Sequence, residues 1–146
     1  KKGNIITIPA KEIKFEYRHN NLSDDLIFLS ASFKGAKKDS EQIKENMLNL
    51  KNKKELNQPT KIKTSGSTFK NPINKTNKKA WELIKESVSN DLKFGGACIS
   101  KKHSNFFINT GDATFEDMKN LINFVEKSVF SKTGIQLEKE IKILEN

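Results

Sequence analysis

The residues best suited to chemistry lie in one short stretch, residues 64–72, with the sequence TSGSTFKNP. Gly66 lets the backbone turn or approach a ligand closely, because it has no Cβ to forbid positive φ. Ser67 then presents a hydroxyl, while Lys70 and Asn71 supply an ammonium and an amide that can face an anionic group. The same composition is typical of a polar loop between two helices. Whether this stretch is a functional site therefore has to be judged from the rest of the chain.

Other constellations of reactive residues are weak. Two histidines and one cysteine are too few and too scattered for a metal site, and we predict none. Gly95 and Gly96 lack the spacing of a nucleotide-binding glycine loop. Ser67, His103 and Glu140 can be combined into a triad, but any chain of this length offers such a trio. Two further polar residues are expected to hold turns through side-chain hydrogen bonds to the backbone, namely Asn105 and Asn109.

Composition limits the class of protein. The 146 residues allow one domain, or one small domain with part of another. The formal charge of +9 favours nucleic-acid binding, yet Arg18 is the single arginine among 27 basic residues and the lysines are dispersed. We therefore predict no nucleic-acid partner. No apolar run approaches the ~18 residues of a membrane span, and the lone Cys98 fits a reducing compartment, so we predict a cytoplasmic protein without a membrane partner. Because the chain begins with Lys1 rather than Met, we expect it to be the C-terminal part of something longer.

Three short strands are predicted before residue 35. Residues 4–9 form an apolar run that ends at a proline, and residues 11–18 alternate apolar and charged side chains, although their length also permits a turn of helix. Residues 26–33 (LIFLSASF) alternate most regularly and give the clearest strand pattern.

A helix is expected next, with Asp39 or Ser40 as its cap. Its apolar residues are spaced three and four apart, and this pattern ends in the lysine-rich residues 51–54. Pro59 follows and indicates a linker. We therefore expect a boundary between modules near residues 57–64.

Behind the central stretch the sequence predicts a helix and a β-hairpin. Thr76 or Asn77 is expected to cap the helix, and residues 94–100 and 105–109 are expected to pair as strands.

A second helix and a last strand complete this half. Thr114 and Asp117 form a capping-box pattern at the start of the helix, and Gly134 suits its end. Residues 135–143 alternate as a strand. The fold class is α+β, with a small, mostly antiparallel sheet and helices on one face.

Several strings of residues occur in an order that indicates a known family. They are GSTFKNP at 66–72, AWELIKES at 80–87, GGACISKKHSNFFIN at 95–109, DATFEDMKNLI at 112–122 and GIQLEKEIKIL at 134–144. Together they resemble the C-terminal domain of the UDP-N-acetylenolpyruvoylglucosamine reductase family. Upstream, FEYRHNNL at 15–22 and IFLSASF at 27–33 resemble the end of the same family's FAD-binding region. The resemblance covers nearly all of the chain.

The resemblance implies an NADPH- and FAD-dependent oxidoreductase of peptidoglycan synthesis. Its substrate would be the UDP-sugar UDP-N-acetylglucosamine enolpyruvate, which is reduced to UDP-N-acetylmuramate. In this family NADPH reduces FAD, and the flavin passes hydride to the enolpyruvyl group. Ser67 matches the serine of the family's GS-x-F-K-N-P motif and is implied to donate the proton.

The resemblance also implies further site residues. Glu140 matches the carboxylate of the family's LE-x-E-[IV] motif, implied to act as a protonated acid that stabilises the intermediate. Glu138 lies on the same predicted strand face, so spacing alone does not separate the two. Asn71 is implied to contact the substrate diphosphate, with Lys70 as a nearby cation. Tyr17 matches the family's YR tyrosine, implied to close on the substrate.

The resemblance divides the chain into two parts. Residues 1–63 would complete the FAD-binding region, and residues 64–146 would form the substrate-binding domain. The main FAD site would lie upstream of Lys1, so we expect no turnover from this chain alone. Two alternatives stay open: a basic nucleic-acid-binding module, and a flavin-free relative of the substrate domain that acts as a binding protein.

Overall fold

The computed structural model describes residues 3–144, which divide into two compact units. The first unit ends at Lys38 and the second begins at Asp39. The predicted boundary between residues 63 and 64 stays a prediction. The ends of the predicted domains, residues 1–2 and 145–146, lie outside the described residues.

The first unit contains one small hairpin. A 3-10 turn at Ala10–Glu12 precedes strand β1 (Phe15–Glu16), which pairs in antiparallel fashion with β2 (His19–Asn20). Tyr17 and Arg18 form the turn of the hairpin, and Arg18 has a positive φ of 58°.

The predicted strands at residues 4–9 and 26–33 are wrong, and the one at residues 11–18 shrinks to β1. A strand needs a neighbour for its N–H and C=O groups. Among the described residues none is hydrogen-bonded as a strand to residues 26–33. The apolar side chains there are exposed accordingly, as Phe33 is to 94%.

The second unit begins with helix α1 (Ser40–Asn57), capped by Asp39 as predicted. The Asp39 carboxylate accepts hydrogen bonds of 3.0 Å from the N–H groups of Glu41 and Gln42. The helix continues through the lysine-rich residues 51–54, where it was predicted to end. Lysine is a good helix former, so a run of lysines does not stop a helix.

A four-stranded antiparallel sheet is the centre of the second unit, and two helices pack on it. The sheet order is β3-β6-β5-β4, and the elements are β3 (Lys63–Ser67), α2 (Ala80–Ser87), β4 (Lys93–Phe94), β5 (Ala97–Ile99), β6 (Phe106–Asn109) and α3 (Phe115–Thr133). The buried core joins α2 and α3 to strands β5 and β6. The α+β class is confirmed. No helix of the described residues is long and apolar enough to cross a membrane.

The ends of α3 follow the sequence prediction. The Thr114 hydroxyl accepts from the N–H of Asp117 at 3.1 Å, and the Asp117 carboxylate accepts from the N–H of Thr114 at 2.9 Å. These hydrogen bonds lower the pKa of Asp117. Gly134 ends the helix with a left-handed φ of 71°.

Two predicted strands differ from the structure. The one at residues 94–100 is divided, because Gly95 and Gly96 turn the chain between β4 and β5. Residues 135–143 are extended but form only the bridge between Phe69 and Lys139. Leu137 of this segment is nevertheless buried in the core, as the alternating pattern predicted.

Candidate functional site

A β-bulge lies directly before Ser67. Thr64 pairs with Ile108 and Ser67 pairs with Phe106, so that two residues of β3 lie opposite one residue of β6. Gly66 is within this bulge and has a φ of 87°, the positive value expected from the sequence. The stretch around Ser67 is therefore the end of a strand, which corrects the predicted loop. A bulge re-aims the side chains that follow it, and here the next side chain is that of Ser67.

The residues after Ser67 are held from both sides. On one side, the N–H of Thr68 donates to the Asn105 C=O at 2.8 Å. On the other side, the Glu140 N–H donates to the Thr68 C=O at 2.9 Å, and the Lys70 N–H donates to the Glu138 C=O at 2.8 Å. The chain of the Ser67 motif thus runs between the β5–β6 turn and the segment that carries both candidate carboxylates.

The two glutamates have different surroundings. Glu138 is paired with the ammonium of Lys70, and its side chain is 71% exposed. Glu140 is half-buried. Its backbone pairs with Thr68, the residue next to Ser67. The structure thus distinguishes two acidic residues that sequence spacing left equivalent.

The side chain of Asn71 contacts the start of helix α2. Its Oδ1 accepts the N–H of Ala80, the first residue of that helix, at 3.0 Å. The Glu82 carboxylate closes the same turn by accepting the N–H of Lys79 at 2.7 Å. The predicted caps, at residues 76 and 77, are therefore wrong: the N-cap is Lys79, and Asn71 reaches the helix from nine residues upstream.

Tyr17 is in the first unit, at the turn between β1 and β2, rather than on a strand. It is 38% exposed, and the guanidinium of Arg18 lies 5.2 Å from the centre of its ring. Four of the five predicted site residues belong to the second unit. Glu138, the alternative candidate for the acid, belongs to it as well.

Asn105 was predicted to hold a local turn, but its side chain bonds across the fold. Its Oδ1 accepts the Phe69 N–H at 2.9 Å, and its Nδ2 donates to the Phe69 C=O at 2.8 Å. Asn109, in contrast, holds the turn after β6 as predicted, by accepting the N–H groups of Gly111 and Ala113. No local pattern reveals a partner 36 residues away in the chain.

His103 packs in the β5–β6 turn beside aromatic rings. Its ring centre is 4.8 Å from that of Phe106 and 6.2 Å from that of Trp81. Its Nδ1 accepts the N–H of Asn105 at 3.3 Å. Burial, assisted by the charge of Lys79, lowers the pKa of His103. These contacts give His103 a structural role in the turn.

The described residues offer little to a metal ion, and their Gly95–Gly96 pair is lined by acidic side chains. Among them, no group of three His, Cys, Asp or Glu residues could bind a metal ion. The Gly95–Gly96 turn faces carboxylates: a Cβ built at Gly95 would lie 2.5 Å from Asp117 Oδ2, and one at Gly96 would meet the Asp112 carboxylate. Carboxylates repel phosphate, so this turn does not fit FAD. The ammonium of Lys70 and the amide of Asn71, on the segment that follows Ser67, are groups that can bind an anionic substrate.

Comparison with known proteins agrees with the fold. The family model for "UDP-N-acetylenolpyruvoylglucosamine reductase, C-terminal domain" matches residues 58–144. A UDP-N-acetylenolpyruvoylglucosamine reductase from Pelagibacter ubique is 62% identical over 144 residues, covering 99% of this chain and 48% of the relative. One from Rickettsia typhi is 46% identical over 140 residues, covering 96% of this chain and 46% of the relative.

A solved structure shows the same fold. The crystal structure of UDP-N-acetylenolpyruvylglucosamine reductase from Thermus caldophilus superimposes with a TM-score of 0.78 at 28% identity, covering 97% of this chain and 49% of that one. The chain therefore spans about half the length of these relatives. The match to the family model extends over more than half of the chain and includes Ser67, Lys70, Asn71, Glu138 and Glu140. The chain accordingly belongs to the UDP-N-acetylenolpyruvoylglucosamine reductase family.

Proposed function

We propose that this chain supplies the substrate-binding half of a cytoplasmic reductase that converts UDP-N-acetylglucosamine enolpyruvate to UDP-N-acetylmuramate in peptidoglycan synthesis. The observation that carries the proposal is the backbone pairing of Glu140 with Thr68, because it brings a residue with a carboxyl side chain beside the residue that follows Ser67. This is the pair of groups that the family's reaction requires. The names of the relatives support the substrate class.

We propose that the chain consists of the two parts that its sequence suggests. Residues 1–63 complete the FAD-binding region, and residues 64–146 form the substrate-binding domain. When bound, FAD that NADPH has reduced supplies the hydride to the enolpyruvyl group. The FAD-binding residues would come mainly from the half of the reductase that the chain does not span.

Ser67 is proposed as the proton donor. Hydride addition to the terminal carbon of the enolpyruvyl group leaves carbanion character on the carbon beside the substrate carboxylate. A neutral hydroxyl is a weak acid, but such a carbanion is a strong base. A positioned donor contributes about 10²–10⁴ in rate. The Gly66 bulge supports this role, because it fixes the backbone from which the hydroxyl projects.

Glu140 is proposed as the protonated acid that stabilises charge on the substrate carboxylate. This task needs a carboxyl that can donate a hydrogen bond. Glu138 already takes part in an ion pair with Lys70 and is largely exposed. The half-buried position of Glu140 beside Thr68 supports assigning the acid role to Glu140.

Asn71, Lys70 and Tyr17 are proposed to bind the substrate. The oxygen of the Asn71 amide accepts the N–H of Ala80, so Asn71 would meet a diphosphate oxygen through its NH₂ group, the donor that a phosphate requires. Lys70 would exchange its Glu138 partner for the anionic substrate. Tyr17 would close on the substrate.

Flavin absorbance of the full-length protein tests this proposal. We expect NADPH to bleach the flavin and the enolpyruvyl UDP-sugar to restore its colour. Glu140→Ala removes the donor and is expected to slow the second step by about 10²–10³-fold, whereas the matched Glu138→Ala change leaves it close to the wild-type rate. If the substrate does not reoxidise the reduced flavin of the wild-type protein, the proposed function is overturned. A slow Glu138→Ala variant beside a normal Glu140→Ala variant would reverse the assignment.

A further inference from the structure

Asn105 supplies hydrogen-bond partners for a backbone segment that the sheet itself does not pair. Strand β6 begins at Phe106, so the sheet ladder ends before it reaches Phe69. Phe69 is nevertheless buried, with 1% of its surface exposed. Buried peptide N–H and C=O groups need partners. The Asn105 side chain supplies both, because its amide accepts from the Phe69 N–H and donates to the Phe69 C=O.

The same residue also bonds through its backbone. The Asn105 C=O accepts the N–H of Thr68, so one residue makes three hydrogen bonds to the backbone of two consecutive residues. Asn105 is itself 4% exposed, and its N–H is held by His103 Nδ1. A buried amide that is hydrogen-bonded through both its oxygen and its nitrogen is rigid, because any rotation would break hydrogen bonds that no water can replace.

The fixed segment joins the two proposed reactive residues. Thr68 follows Ser67 directly, and its C=O accepts the N–H of Glu140. Fixing the peptides of Thr68 and Phe69 therefore fixes the backbone of the proposed proton donor and that of the proposed acid relative to one another. We propose that Asn105 is a positioning residue, which holds Ser67 and Glu140 in register for the transfer of a proton to the reduced substrate. This inference rests on the function proposed above.

Positioning of this kind affects one half-reaction. A misplacement of about 1 Å can cost roughly 10²-fold in rate. Reduction of the flavin by NADPH does not use Ser67 or Glu140, so it should be unaffected by a change at Asn105. The step in which substrate reoxidises the flavin should be slowed.

Asn109 offers a matched control on the same strand. Its side chain also bonds to the backbone, but it holds the turn at the opposite end of β6, away from Ser67. Replacing either asparagine by alanine therefore removes buried or half-buried hydrogen bonds and lowers stability. Only the change at Asn105 should alter the geometry of the proposed pair.

The test uses full-length protein as wild type, Asn105→Ala and Asn109→Ala, below the melting temperature of each. We expect all three to be reduced by NADPH at similar rates. Asn105→Ala should be reoxidised by the enolpyruvyl UDP-sugar about 10²-fold more slowly, with Asn109→Ala close to wild type. Equal reoxidation by all three, or an equally slow Asn109→Ala, would overturn the positioning role. If the substrate does not reoxidise the reduced flavin of the wild type, the function on which the inference rests is overturned instead.

An isosteric variant keeps the test decisive where Asn105→Ala does not fold. Asn105→Asp retains the oxygen that accepts from the Phe69 N–H, but when ionised it loses the donor to the Phe69 C=O and places a negative charge beside that carbonyl. A protonated carboxyl regains that donor. We expect its reoxidation rate relative to wild type to rise as the pH is lowered. A ratio that stays at one throughout the pH range would refute the role of this hydrogen bond.

Discussion

Replacing Gly66 by alanine tests whether the bulge of β3 controls the placement of Ser67. Gly66 has a φ of 87°, and a Cβ built there meets no atom within 4 Å. The change therefore introduces backbone strain without a steric clash. Strain of about 1–2 kcal/mol for an L-residue in this region is offset by about 0.4–1 kcal/mol, because alanine restricts the unfolded chain. We expect a net loss of about 1 kcal/mol, which corresponds to roughly 4 °C in melting temperature.

Gly134 provides the control, since it has a φ of 71° and equally open space around a built Cβ. It ends α3 and is distant in sequence from the Ser67 motif. Gly134→Ala should lose a similar amount of stability. If the bulge positions Ser67, only Gly66→Ala should slow the reoxidation of flavin by substrate, by about 10²-fold. Thermal melts and the flavin assay on both variants measure the two effects. Equal reoxidation rates in Gly66→Ala and Gly134→Ala would refute the link between the bulge and the chemistry.

Two further predictions concern stability. Leu137 is 2% exposed in the core, so Leu137→Ala should reduce the free energy of unfolding by about 2–5 kcal/mol, measured by urea denaturation. An effect below about 1 kcal/mol would show that residues 135–143 are not packed as described. Burial and Lys79 lower the pKa of His103 below its ordinary 6.5, so the unfolded chain binds a proton there more readily than the folded chain. Stability should fall as the pH drops below about 6.5, and His103→Gln should flatten that part of the profile.

The sequence predicted local features where neighbouring residues determine the structure. The Asp39 cap, the Thr114 capping box and the left-handed Gly134 all depend on contacts within a few residues, and each occurs as expected. The positive φ of Gly66 follows from glycine's lack of a Cβ. These features need no knowledge of the tertiary fold.

Long-range partners decided the features that the sequence did not predict. Residues 26–33 have a strand pattern, but no described strand pairs with them. The Thr76 or Asn77 cap was wrong because Asn71 reaches α2 from outside the expected window. The hydrogen bonds between the Asn105 side chain and the Phe69 backbone join residues that are distant in sequence, and composition gives no sign of them. Only the resemblance to a family brought Ser67 and Glu140 together as one candidate site.

The most direct test of the account compares Ser67→Ala with Ser65→Ala in the full-length protein. Ser65 lies two residues away on the same strand and is exposed, so it reports the cost of removing any nearby hydroxyl. Both variants should be reduced by NADPH like wild type. If Ser67 donates the proton, the enolpyruvyl UDP-sugar should reoxidise Ser67→Ala about 10²–10⁴-fold more slowly than Ser65→Ala. Reoxidation of Ser67→Ala at the rate of Ser65→Ala would contradict the assignment of Ser67 as the proton donor.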